Sequence, residues 1–229
     1  MAKKVEHKHE LVENPQALAE KLAGAETWME RHPKTTTSIL VVVLLIAGGY
    51  FGFHYYKNSQ EVDAQRQMFQ AVYYFEADSL DLALNGDGNH LGFLAIIEDY
   101  GITDAAELAN YYAGAAFLKQ GKFEVARLYL QDFKANDLLV QARAYSLIGD
   151  TYMEQNNYQD AAQYYDKAAN YKPNKYFSPA YLMKAALAFE LNHQEDRAIA
   201  TYDKIINEYY DSPEFQEARK FKAKLETNS

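Results

Sequence analysis

Three stretches of this chain align with one another at intervals of 35 to 37 residues, and no other feature restricts the possible fold as much. In GAAFLKQGKFEVARLYLQDF the recurring residues are Gly114, Phe117, Gly121, Ala126, Leu130 and Phe133. In GDTYMEQNNYQDAAQYYDKAANYKP they are Gly149, Tyr152, Asn156, Ala161, Tyr165, Ala168 and Pro173. In AALAFELNHQEDRAIATYDKII they are Ala186, Phe189, His193, Ala198, Tyr202 and Ile205. Two antiparallel helices approach closely only where both carry small side chains, here Gly149 on the first and Ala161 on the second. Large residues such as Tyr152 and Tyr165 then fill the space beside the crossing. Gly121, Asn156 and His193 fall at the turn between the helices, where a left-handed residue is expected; glycine and asparagine adopt that conformation well and histidine tolerably.

These residues resemble the tetratricopeptide repeat, and the middle unit matches best. The third unit departs from the pattern with Ala186 in place of glycine and His193 at the turn. The resemblance implies an all-α solenoid, with repeats over about 107–138, 142–173 and 179–210. Ser178-Pro179 reads as the N-cap and first position of the third repeat. Ser212-Pro213-Glu214 repeats that start signal for a polar helix over 213–225, which would cap the stack. Residues 61–101 read as a looser first unit: a long helix to about Leu84, a glycine loop, and a short helix from about Leu91. No strand-like alternation occurs beyond Ser59.

Ahead of the repeats, TTTSILVVVLLIAGGYFGFHYY, residues 35–56, carries no charge apart from that available to His54. As a helix these residues span ~33 Å, close to the thickness of a bilayer's hydrocarbon. Tyr50, Tyr55 and Tyr56 at its end suit the membrane interface. Arg31 and Lys34 precede the segment and Lys57 alone follows it, which favours a cytoplasmic N-terminus (1–34) and an exported domain (57–229). The rival reading is a cleaved signal peptide with Ile39–Ile46 as its apolar core and Ala47-Gly48-Gly49 at the cleavage site. Against it stands a long leader in which Asn14-Pro15 starts a helix, with Leu18, Leu22, Ala25 and Met29 recurring at helical spacing. Gly48, Gly49 and Gly52 would allow close packing on another transmembrane helix, or are simply tolerated in lipid.

The stretch NGDGNHLGF, Asn85 to Phe93, could be a metal loop, a phosphate cradle or a turn. An EF-hand loop needs oxygen ligands at alternating positions and a closing glutamate. From Asp87 the pattern fails at Leu91 and lacks the glutamate; from Asp81 it fails at Ala83. A phosphate loop needs a preceding strand and a lysine, and neither is present. A turn in which Gly86 and Gly88 take positive φ is the expectation. The histidine pair His7 and His9 has no further ligands nearby in sequence, so no metal is expected. With no cysteine in the chain, disulfides and thiolate chemistry are excluded. No catalytic motif appears, and neither a cofactor nor a small-molecule substrate is expected. Residues 58–229 hold 16 Lys and Arg against 26 Asp and Glu, a net of −10, which disfavours nucleic acid.

By the family resemblance, the first helix of each repeat lines a concave groove. The groove would carry Leu108, Tyr111 and Lys119, then Arg143, Asp150 and Met153, then Met183, Leu187 and Glu190. The basic and asparagine side chains with which some members grip a terminal carboxylate are replaced here by Tyr111, Ala115, Ser146 and Asp150, so that ligand class is not expected. Most of the doubled tyrosines read as core. Anchor, repeats and the segments FEADSLDLALNGDGNHLGFLAIIEDYG, LANYYAGAAFLKQGKFEVARLYL and SPAYLMKAALAFE together resemble the YfgM-like family of bacterial inner-membrane proteins, in its Bacteroidetes-type version. That resemblance implies an ancillary subunit of the SecYEG translocon, beside a PpiD-type chaperone and emerging exported chains, with the solenoid in the periplasm. The alternative is a structural scaffold of another envelope, secretion or gliding complex.

Overall fold

The computed structural model describes residues 19, 23, 25 and 27–228. Asn14-Pro15, Leu18, Leu22 and the pair His7 and His9 lie outside the described residues. The chain divides into two compact units, residues 1–56 and 57–229, and the division falls within the first long helix, α1 (Pro33–Glu76).

In the N-terminal unit, α1 opens with hydroxyls turned back on their own helix. Thr36, Thr37 and Ser38 donate to the carbonyls of His32, Pro33 and Lys34 at 2.8–3.0 Å. Their polar groups are thereby satisfied without water, as lipid requires. The apolar residues that follow, Ile39 to Ile46, are all exposed. This part of α1 is long and apolar enough to cross a membrane, and is a candidate span. A methyl group added at Gly48, Gly49 or Gly52 would meet nothing within 4 Å.

The second unit is helical: α2 (Leu80–Asn85), α3 (Phe93–Asp99), α4 (Asp104–Lys119), α5 (Phe123–Asp132), α6 (Val140–Glu154), α7 (Tyr158–Asn170), α8 (Ser178–Leu191), α9 (Glu195–Glu208) and α10 (Phe215–Asn228). The pairs α4–α5, α6–α7 and α8–α9 are the three repeats, each packing on the next. Their crossings rest on small residues, as the spacing implies. A Cβ on Gly114 would sit 2.5 Å from Leu130 Cγ and 3.0 Å from the Ala126 carbonyl. Its counterpart on Gly149 would sit 2.6 Å from the Tyr165 ring. Ala161, Ala185, Ala186 and Ala198 are fully buried at the next crossings.

The turns between paired helices share one hydrogen-bond pattern. Gly121, Asn156 and His193 have φ of 73°, 59° and 57°. In each, the next residue's N–H reaches back to the carbonyl of Phe117, Tyr152 or Phe189 at 2.9 Å. This is the Schellman closure of a helix. The same closure ends α1, where Asp78 has φ 57° and Ser79 N–H donates to the Tyr74 carbonyl at 2.8 Å. The sequence reading carried this helix on to about Leu84; instead it stops at Glu76 and restarts as α2. The expected N-cap at Ser178 is also different. Ser178 is already helical and buried, with its hydroxyl on the Ala169 carbonyl at 2.8 Å, while Asn174 Oδ1 accepts from Tyr176 and Phe177 N–H.

Because a left-handed histidine costs about 1–2 kcal/mol that glycine does not, His193→Gly is expected to raise the stability of the repeat unit. The gain should be a few tenths to about 1 kcal/mol after glycine's larger unfolded-state entropy is subtracted. Thermal unfolding of residues 57–229 measures it, and a lower midpoint would contradict the strain assigned here.

At the C-terminal end α10 covers the last repeat. Ala218 and Leu225 are buried, and Phe221 stacks on Tyr202 at 6.0 Å. At the other end of this unit α1 itself supports α4. Thr103 Oγ1 caps Ala106 N–H at 3.1 Å, Glu61 accepts from Asp104 and Ala105 N–H, and Lys57 pairs with Asp104 at 3.0 Å.

Candidate partner-binding groove

The NGDGNHLGF stretch is a tight turn. Gly86 and Leu91 form an isolated antiparallel bridge, and Gly86 and Gly88 have φ of 83° and 89°. The Asp87 carboxylate is occupied from four sides. It accepts from Asn89 and His90 N–H at 2.8 and 2.7 Å and from Tyr74 Oη at 2.7 Å, and it lies 3.0 Å from His90 Nδ1. These donors, the Tyr74 hydroxyl foremost, hold its carboxyl well below the usual carboxylate range. A carboxylate so engaged has no free oxygen for a ligand.

A cleft of about 420 Å³ opens in the second unit between the end of α1 and the first helices of two repeats. Phe75 and Glu76 contribute from α1; Leu108, Tyr111, Tyr112, Leu118 and Lys119 from α4; Val140, Arg143 and Leu147 from α6. Leu108, Tyr111, Lys119 and Arg143, four of the groove residues read from the sequence, therefore share one cavity wall. They come together because the first helices of successive repeats lie side by side, so positions about a repeat apart become neighbours.

The two cations in this wall are not equivalent. Lys119 is paired with Asp78 at 2.6 Å and stands 5.2 Å from the centre of the Phe75 ring. Arg143 is exposed and has no carboxylate partner among the described residues. Its neighbours are the phenols Tyr111, Tyr112 and Tyr181, with the Glu76 carboxylate in the same cleft wall. Burial raises the Tyr111 hydroxyl above its ordinary pKa and the Arg143 charge opposes that rise, so the phenol stays neutral at physiological pH. Tyr111 is steadied by an edge contact with Tyr112 at 5.5 Å and a tilted ring contact with Phe133 at 5.6 Å.

The remaining predicted residues lie further along the first helices. Asp150 accepts from Tyr165 Oη at 2.6 Å and is bridged to α8 by Lys184 at 2.9 Å. Burial, followed by Asp150, raises the Tyr165 hydroxyl strongly. Glu190 accepts from Tyr202 Oη. Met153 and Met183 are half-buried against the core of the last two repeats, and Leu187 is 48% exposed. Lys184 was missed by the sequence reading. Its position on the first helix of the third repeat, 34 residues after Asp150 on that of the second, was the available signal.

An all-α solenoid with an open groove on its first helices defines a protein-binding scaffold, a class that is typically non-catalytic. Comparison with protein families agrees. Tetratricopeptide repeat matches cover residues 111–175 and 147–213, so the chain carries tetratricopeptide repeats. A search of curated proteins finds no match.

Proposed function

We propose that this chain is a membrane-anchored scaffold whose groove holds an extended or helical segment of another protein, with an acidic side chain seated on Arg143. The observation that carries this reading is Arg143 itself: a cation without a carboxylate partner among the described residues, in a cleft lined mostly by apolar and phenolic side chains with Glu76 and Lys119 at its wall, in a domain whose net charge is −10. A guanidinium left unpaired there is a specific receptor for a carboxylate, while Leu108, Tyr111 and Val140 offer apolar contact around it. Lys119, already bonded to Asp78, contributes less.

The partner follows from the resemblance to the YfgM-like family. The scaffold sits at the periplasmic side of the bacterial inner membrane, beside the SecYEG translocon and a PpiD-type chaperone, and holds partners or emerging exported chains. The test is photo-crosslinking in intact cells from Tyr111, with Leu128 on α5 as an exposed control. Crosslinks from Tyr111 to translocon subunits, the chaperone or emerging chains support the reading. Crosslinks confined to another envelope assembly would sink the translocon assignment. Arg143→Glu, which places a like charge against the acidic group, is expected to lower the Tyr111 crosslink yield at least tenfold with the unfolding midpoint unchanged. An undiminished yield would remove Arg143 from the recognition.

A further inference from the structure

A second cavity, of about 450 Å³, adjoins the Arg143 cleft and shares Leu108 and Val140 with it. Phe133 and Ala135, from the segment that links α5 to α6, complete its apolar lining. Phe133 is buried in one core cluster with Leu130 and Ile148, so this lining is anchored. The charged groups here do not invite an anion. Asp137 accepts from the Leu139, Val140 and Gln141 amides, so the N–H groups that open α6 are already taken. Glu107 accepts from Lys134 N–H at 3.0 Å, and Asp104 pairs with Lys57 at 3.0 Å. Against these three carboxylates the lining sets the Lys134 ammonium. An acidic side chain that suits Arg143 is therefore disfavoured in the adjoining cavity, where an apolar one fits.

The two cavities lie at successive turns of the same helix pair, α4 and α6. Tyr111 and Arg143 stand one turn beyond Leu108 and Val140, about 4.5 Å along the axes, and the second cavity reaches back to Asp104. Its middle is therefore about 7 Å from the level of Arg143. An extended segment covers that distance in about two residues and turns both side chains to one face. A helix covers it in about four, again on one face. We infer that this cavity is a second subsite of the partner groove. It takes a bulky apolar side chain of the same bound segment, about two to four residues from the acidic one on Arg143. The inference rests on the partner-groove reading and makes the recognised feature a pair of residues at fixed spacing. An exposed ion pair alone is worth little, and a buried apolar anchor beside it adds the desolvated contact on which affinity depends.

The test compares photo-crosslinkers at Tyr111 and at Asn136, an exposed residue of the second cavity, in full chains in intact cells. Mass spectrometry maps the crosslinked residues of the partner. The expected result is one partner from both positions, with mapped residues about two to four apart and an apolar residue at the Asn136 end. Different partners, a spacing outside that range, no apolar residue at that end, or an Asn136 yield no higher than that of the Leu128 control would overturn the subsite. A Tyr111 crosslink in the same cells then leaves the groove reading standing. Silence from Tyr111 overturns the groove reading and the subsite with it. Ala135→Phe, which fills the cavity, is expected to lower the Tyr111 yield at least fivefold with the unfolding midpoint unchanged. Serine in place of the partner's mapped apolar residue makes the same test without touching this chain, with the same fivefold loss expected. An undiminished yield in that case overturns the subsite whatever Ala135→Phe does to folding.

Discussion

Gly92→Ala is expected to destabilise the repeat unit by about 3 kcal/mol or more, the upper range for a forced overlap. Gly92 has an ordinary extended conformation, with φ −86° and ψ 173°, so backbone strain is not the cause. The space for a Cβ is already filled by the Leu84 carbonyl and the Gly86 nitrogen. Both are backbone atoms, fixed by the closure of α2 and by the Gly86–Leu91 bridge, so neither can turn aside. Gly88→Ala is the control. A methyl there meets nothing within 4 Å, and only its φ of 89° is penalised, at about 1–2 kcal/mol. Denaturant unfolding of both variants decides the matter. A Gly92→Ala loss no greater than that of Gly88→Ala would mean that the loop shifts freely.

Gly149→Ala is expected to cost about 1–3 kcal/mol and to disturb the groove as well. Its methyl would press on two atoms of the Tyr165 ring, at 2.6 and 2.7 Å. That ring cannot swing away without leaving Asp150, which also holds Lys184 of the next repeat. Pushing the ring therefore pulls on a bridge between repeats. Tyr165→Phe on the same background removes the hydroxyl anchor and should return part of the loss, a coupling readable as non-additivity in a double-mutant cycle. Simple additivity would show that ring and bridge move independently.

Much of the repeat architecture was legible because its causes are local. Gly114, Gly149, Ala161 and Ala198 are small where helices cross, and Gly121, Asn156 and His193 take left-handed conformations where the chain turns back. The turn at Asp78 was not legible. Its hydrogen bonds repeat those of the other three turns, yet aspartate is also an ordinary residue of a helix surface, and the apolar pattern runs on past it to Leu84. The groove was legible only in outline. Spacing placed Leu108, Tyr111, Lys119 and Arg143 on first helices. Which cations remain open depends on partners distant in sequence, such as Asp78 for Lys119 and Asp150 for Lys184, and periodicity does not report them.

The contacts that Lys57 and Glu61 make with the start of α4 also determine where this chain can be shortened. Residue 111, where recognisable homology starts, is the wrong place to cut. A fragment beginning there would lose the first seven residues of α4, about two turns, together with the Glu61 carboxylate that holds the amide groups of Asp104 and Ala105, and would strip the aromatic pair Phe75 and Phe93 from Tyr112. The boundary of the folding unit lies about fifty residues upstream of the boundary of the motif. A soluble version for biophysical work therefore has to keep the tail of the same helix whose head is the candidate membrane span.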